Sequence, residues 1–234
     1  MSRVLLKLSG EALGGAKGSG FDYGVFGKLS LEISKVLEAG HVVALVLGGG
    51  NLFRGEDAAE WGSERVLGDQ MGMLATIMNA LAFSAFLGRN EIDNELFCSV
   101  DIPGIAKGYR NTDARDSLRN GNVAIFSGGI GNPFFTTDTT ACLRAIELGF
   151  DLVVKATNVD GVYSADPRID PSAKKYDKIS FKEVVEKNLA VMDQTAILLC
   201  RDHKMPIVVC SIEEEENLLK AANGEPIGSL VTDY

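Results

Sequence analysis

Histidine is almost missing from this chain. Only His41 and His203 occur among 234 residues, each flanking an apolar stretch, which argues against a histidine-based triad or a histidine metal site. The four cysteines, Cys98, Cys142, Cys200 and Cys210, are widely spaced within apolar segments. They fit no zinc pattern and read as reduced core thiols. No G-x-x-x-x-G-K-[ST] string occurs, so there is no Walker A loop, and after Gly48 and Gly50 the third position of a dinucleotide fingerprint holds Phe53. The N-terminal apolar run is too short for a signal peptide, and no stretch is read as long enough to span a bilayer, so a cytoplasmic protein is expected. A net charge of −9 disfavours a nucleic-acid-binding surface while leaving room for a local cationic pocket. Linkers, repeats and low-complexity segments are also lacking, and residues 1–234 read as a single domain.

What is present alternates between strand and helix. Arg3–Leu8 predicts a first strand that runs into Lys7-Leu8-Ser9-Gly10. A lysine there is either a snorkelling edge residue or a phosphate hand. Gly14–Gly20 is flexible by composition, a lid or a linker. Phe26, Leu29, Ile33, Val36 and Leu37 trace a helix stripe closed by Gly40. Val42–Leu47 is an unbroken apolar run, the mark of a parallel strand covered on both faces. It empties into Gly48-Gly49-Gly50-Asn51, with Arg54 close behind. Such glycines let backbone N–H groups approach a phosphate and the arginine grip it, although a plain surface turn fits the same residues.

Asp69–Leu87 predicts a long helix with Asp69 as its N-cap. It is apolar nearly all round, which predicts burial on both sides and a subunit interface. Leu96–Val100 reads as a strand. Asp101–Gly121 reads as an irregular connection with one short helix and three arginines, Arg110, Arg115 and Arg119. Asp151–Lys155 is a further strand, followed by a turn-rich loop, Thr157–Asp166. Ser180 and Glu183 form a capping box, and Asp193 caps a second helix. Ile207–Cys210 is a strand, Glu213–Glu216 occupy a helix's first turn as a solvated start, and Gly228–Thr232 closes the chain. The pattern predicts an α/β fold with an open, mainly parallel sheet covered by helices on both faces.

The most informative stretch is Asn122–Gly149. An apolar strand ends at Gly128-Gly129, and a helix stripe runs through Cys142, Ala145, Ile146 and Gly149. Between them lies Thr136-Thr137-Asp138-Thr139, at a helix entrance suited to an anion. Thr137 or Asp138 serving simply as an N-cap is the plainer alternative. Three strand ends, Lys7–Gly10, Gly48–Gly50 with Arg54, and Gly129–Asp138, would meet on one sheet edge. Two anion cradles and two cations there suggest phosphoryl transfer. A phosphate acceptor, with a second pKa of about 6, needs no general base.

The strings KLSGE from Lys7, GGGNLFRG from Gly48, GDQMGM from Gly68 and GNPFFTTD from Gly131 resemble those of the bacterial UMP kinases, a branch of the amino-acid-kinase superfamily. KATNVDGVY from Lys155, Asp166-Pro167, Val191-Met192-Asp193 and Arg201-Asp202-His203-Lys204 extend the likeness over nearly the whole chain. The GNPFFTTD run is specific to that branch.

The resemblance implies a three-layer α/β/α sandwich and reversible transfer of the ATP γ-phosphate to UMP in pyrimidine nucleotide biosynthesis. Lys7, Leu8, Ser9 and Gly10 would hold ATP phosphates, with Gly50 and Arg54 beside them and Thr157, Asn158, Tyr163 and Asp166 around the adenosine. Gly49, Asp69 and the run Ile130, Gly131, Asn132, Pro133, Phe134, Phe135, Thr136 and Thr137 would hold UMP, Asp69 reaching the sugar hydroxyls. Lys7, Arg54 and Asp138 would be the catalytic set, Asp138 orienting Lys7. Mg²⁺ would arrive with ATP, held mainly by phosphate oxygens and water, and no residue is assigned as a metal ligand. The resemblance also implies a hexamer built on dimers, with neither nucleic acid nor membrane as partner. UTP inhibition is expected. Ile130 stands where relatives often have Thr, and Ser84–Gly121 departs from the pattern associated with GTP activation. A carboxylate or carbamate kinase, or a non-catalytic nucleotide or oxyanion storage protein on the same fold, are the alternatives.

Overall fold

Side-chain alternation on the strands determines which layer each residue enters. The computed structural model describes residues 1–55, 58 and 62–233. Strands β1 (Arg3–Leu8), β2 (Val42–Leu47), β3 (Asn94–Cys98), β4 (Lys107–Gly108), β5 (Val123–Ser127), β6 (Leu152–Thr157), β9 (Lys178–Ile179), β10 (Ile207–Ser211) and β11 (Ser229–Val231) form one nine-stranded sheet. Its order is β4-β3-β5-β2-β1-β6-β10-β11-β9. All pairings from β4 to β10 are parallel, β11 runs antiparallel to β10, and β9 follows β11.

On one face, Leu5, Ala44, Phe126, Val153 and Val209 pack with helices α4 (Asn111–Arg119), α5 (Thr137–Leu148), α6 (Phe181–Glu186) and α7 (Gln194–Asp202). On the other, Leu6, Leu45, Ile125, Val154 and Cys210 pack with α2 (Tyr23–Glu38), α3 (Arg65–Arg89) and α8 (Asn217–Asn223). The result is the three-layer α/β/α sandwich. A period of two sends neighbouring residues of each strand to opposite layers, which is why β2 is apolar throughout and β5 nearly so. All four cysteines are buried and unpaired.

Several sequence expectations shift. The long helix begins at Arg65, so Asp69 lies inside α3 and is not its N-cap. Its inner face is Ala75, Ala80, Phe83 and Leu87, with the polar Thr76 and Asn79 among them, while Leu67, Leu74, Met78 and Leu81 face outward. At 25 residues this helix is long and apolar enough to cross a membrane, contrary to the sequence reading; in the fold its inner face lies against the sheet. The strand expected at Leu96–Val100 sits at Asn94–Cys98.

Thr136, rather than Thr137 or Asp138, caps α5, accepting from the N–H groups of Asp138 and Thr139. Within the loop after β6, β7 (Val162–Tyr163) pairs with β8 (Lys175–Tyr176). That ladder is too short to leave a periodic signal. Glu213–Glu216 precede α8 instead of forming its first turn. The Ser180–Glu183 capping box and the Asp193 cap are both formed. Gly14–Gly20 holds the single 3-10 turn Gly15–Lys17, with Gly20 N–H donating to the Asn51 carbonyl.

Candidate active site

The chain leaves β1 toward β2 on one side and later returns as β6 on the other, so the crevice of this open sheet lies at the β1/β6 carboxyl ends. Lys7 and Lys155 are register partners there. β1 is a central strand, so Lys7 is no edge residue. Both lysines share the strand face of Leu5 and Val153, toward α5, whose first turn supplies Asp138. Lys7 Nζ lies 2.8 Å from Asp138 Oδ1 and Lys155 Nζ 2.7 Å from Oδ2. Lys155 also donates to the Val191 carbonyl at 2.7 Å. Burial alone would raise the Asp138 pKa, but the charges of Lys7 and Lys155 outweigh it and bring it down to about 2. Burial pushes the Lys155 pKa down, with Asp138 opposing. One carboxylate between two ammonium groups leaves a net positive charge at the crevice, a fit for phosphate oxygens.

The two glycine loops touch. A Cβ on Gly10 would stand 2.3 Å from the Gly50 nitrogen, so only glycine permits this backbone approach. Ser9 Oγ caps the short helix α1 (Gly10–Leu13). Leu8 contributes backbone only, its side chain being fully buried in the α2/α3 layer. Arg54 Nη2 pairs with Glu11 Oε1 at 2.6 Å, both side chains being about half exposed. From α3, Asn79 donates to the Gly48 carbonyl at 2.7 Å and exchanges hydrogen bonds with Asn51.

A cleft of about 150 Å³ adjoins these loops, lined among others by Gly49, Asp69, Thr76, Asn132, Phe135 and Thr137. Asp69 Oδ1 accepts from Arg65 Nε at 2.8 Å, and Oδ2 accepts from the Phe134 N–H at 2.7 Å. Phe134 and Phe135 are exposed while Pro133 is half-buried, and Phe134 takes a left-handed φ of 71°. Thr136 and Thr139 both donate to the Asp193 carboxylate, joining α5 to the cap of α7. Ile130 is half-buried next to Gly131. Sequence reasoning missed Lys155, Thr76, Asn79 and Asp193 as parts of this constellation. Polar residues inside an apolar helix stripe were the available signal for Thr76 and Asn79.

Tyr163 and Asp166 border a second cleft of about 280 Å³ with Gly161, Lys187 and Leu189. Thr157 ends β6 and does not line it, and Asn158 instead lines a hollow beside Ala12 and Lys28. The structure therefore places two of the four expected adenosine contacts together and sets the other two apart.

Residues 2–211 match the profile of the amino acid kinase family. The chain belongs to that family. Among its relatives, the uridylate kinase of Vibrio cholerae is 49% identical over 231 residues, covering 99% of this chain and 95% of that protein. The uridylate kinase of Legionella pneumophila (strain Lens) is 50% identical over 229 residues, covering 98% and 93%. The crystal structure of the UMP kinase from Bacillus anthracis superposes with a TM-score of 0.96 at 39% identity, covering 99% of this chain and 96% of that one. Within the amino acid kinase family, then, the nearly full-length likeness extends over both glycine loops, α3 and the Gly131–Asp138 run.

Proposed function

We propose that the protein is a UMP kinase that moves the ATP γ-phosphate to UMP, giving UDP and ADP. The observation that carries this reading is the Lys7–Asp138–Lys155 cluster at the β1/β6 crevice, flanked by two glycine loops and by the Asp69 cleft, in a chain half identical to uridylate kinases. Lys7 faces the transferring phosphoryl group and Asp138 holds it there, while Ser9, Gly10, Gly50 and Arg54 gather the ATP phosphates. Asp69 takes the UMP sugar hydroxyls, and Gly49 with Ile130–Thr137 encloses the rest of the nucleotide. Tyr163 and Asp166 frame the adenosine, joined by Thr157 and Asn158 when ATP draws the loop in.

ATP enters as its magnesium complex, the metal held by phosphate oxygens and water. The acceptor phosphate is largely dianionic at neutral pH, so catalysis consists of positioning and charge neutralisation. Leu67, Leu74, Met78 and Leu81 on α3 form the face through which subunits pair, within a hexamer of the family type. The setting is cytoplasmic.

The deciding experiment is a coupled ADP-release assay with UMP, CMP, aspartate and acetylglutamate as acceptors. UMP should give the dominant rate. A rate that ignores UMP and rises with an amino-acid acceptor overturns the proposal in favour of a carboxylate kinase, and no turnover with any acceptor favours a storage protein.

A further inference from the structure

The loop proposed to hold UMP opens with a turn, Gly128 to Gly131, in which the Gly131 N–H donates to the Gly128 carbonyl at 3.1 Å. The Gly128 N–H is held by Thr76 Oγ1 at 2.9 Å. The Gly129 carbonyl accepts from Ser99 Oγ at 2.7 Å, and Ser99 Oγ accepts in turn from Arg144 Nη2 at 3.0 Å. Arg144 is only 5% exposed. Its guanidinium lies 3.6 Å from the Tyr109 ring centroid, and Nη1 is 2.6 Å from Glu147 Oε2, which also accepts from Tyr109 OH. None of the Ser99, Arg144, Tyr109 and Glu147 side chains borders the Asp69 cleft, and sequence reasoning assigned them no role.

The chemistry of the pair gives the contact a direction. Arginine has donors only, so the serine oxygen beside it must accept, and the hydroxyl hydrogen is left for the Gly129 carbonyl. The peptide is planar and trans, so fixing that carbonyl also fixes the Ile130 N–H, which points away from Ser99. The ring stack and the Glu147 pair keep the guanidinium in one place. Gly131 confirms how closely Ser99 and the turn are packed: it holds a φ of 86°, and a Cβ there would meet the Ser99 carbonyl oxygen at 2.9 Å.

We propose that Arg144 is a positioning residue for the acceptor nucleotide, acting through the Ser99 hydroxyl to set the plane of the Gly129–Ile130 peptide at the mouth of the UMP loop. This rests on the UMP kinase reading for the identity of the ligand, but not for the ordering of the turn.

The test compares Ser99→Ala, Ser99→Thr and Arg144→Lys with the parent enzyme. It reads kcat, KM for UMP and for ATP, and amide hydrogen exchange over residues 128–135 without ligand. Loss of one such hydrogen bond should raise the UMP KM and the exchange rate of the turn by about five- to tenfold in Ser99→Ala and Arg144→Lys. The ATP KM and kcat should stay within about twofold, and Ser99→Thr, which keeps the hydroxyl, should restore both readouts. Combining Ser99→Ala with Arg144→Lys should add nothing to the larger single effect. Unchanged exchange and UMP KM in Ser99→Ala overturn the proposal, as does a fall in melting temperature with kcat and both KM values moving together. If UMP proves not to be the acceptor, exchange over residues 128–135 alone decides whether the turn is held as described.

Discussion

Lys7 and Lys155 stand opposite each other on adjacent parallel strands, and their ammonium groups take the two oxygens of one buried carboxylate, Asp138. The arrangement makes Asp138 a structural anion and leaves the cluster with one net positive charge at the crevice. Its consequences for rate and for stability are separable.

Replacing Lys7 with alanine should lower kcat by about 10²–10³-fold while changing the UMP KM far less, because its charge acts on the transferring group. Asp138→Asn should move kcat the same way by letting Lys7 drift. It should also cost about 3–5 kcal/mol of stability, since two buried ammonium groups lose their partner. Steady-state kinetics and urea unfolding measure both, and a Lys7→Ala enzyme with near-normal kcat would remove Lys7 from the catalytic set.

The acid limb of stability carries a signature of this cluster. The folded pKa of Asp138, about 2, lies below its ordinary 3.8, so its contribution is complete above the ordinary value and disappears as the pH falls toward 2. The amount is about 2 kcal/mol. Lys155 works in the opposite sense: its lowered pKa means that burying the charged ammonium costs stability at neutral pH, and the cost fades as the pH rises toward 10.5. Urea unfolding between about pH 5 and pH 2 should show a steeper loss in the parent protein than in Asp138→Asn. Parallel curves would contradict the assignment.

The outward face of α3 should drive self-association. Leu74 and Met78 are 52% and 51% exposed one turn apart, in line with Leu67 and Leu81. A Leu74→Glu, Met78→Glu variant should sediment as a smaller species than the parent at micromolar concentration with its fold intact. A parent protein that is already a stable monomer would refute the interface.

Effector behaviour should be lopsided. UTP should inhibit competitively with UMP, as its uracil and sugar suit the Asp69 cleft and its extra phosphates extend toward Lys7 and Arg54. GTP should stimulate by less than about twofold, since coupling requires a contact that differs between two states. In the Ser84–Gly121 segment, Arg115 already donates to Asn111 and the Glu147 carbonyl, and Arg119 pairs with Asp116 at 3.1 Å. Initial rates at subsaturating ATP and UMP test both effectors. A several-fold GTP activation lost in Arg110→Ala, Arg115→Ala would show that this segment carries an effector site.

Sequence by itself determined the local chemistry of this protein. Apolar runs ending in glycines or Ser-Gly marked β1, β2 and β5, unbroken only in β2. The Ser180–Glu183 box and the Asp193 cap were legible because a cap satisfies N–H groups two or three residues away. The glycine loops and the Gly131–Asp138 run were legible as motifs for the same local reason. Only the tertiary structure decided which of these ends meet. Strand order follows from how whole apolar faces stack, so no local signal says that β6 lies against β1, or that Lys155 falls beside a lysine 148 residues earlier. The polar groups within α3 acquire meaning in the same way. Thr76 and Asn79 interrupt a helical stripe and become functional candidates only once the sheet brings the Gly128 N–H and the Gly48 carbonyl to them, because a buried backbone group must find a partner wherever the fold puts it.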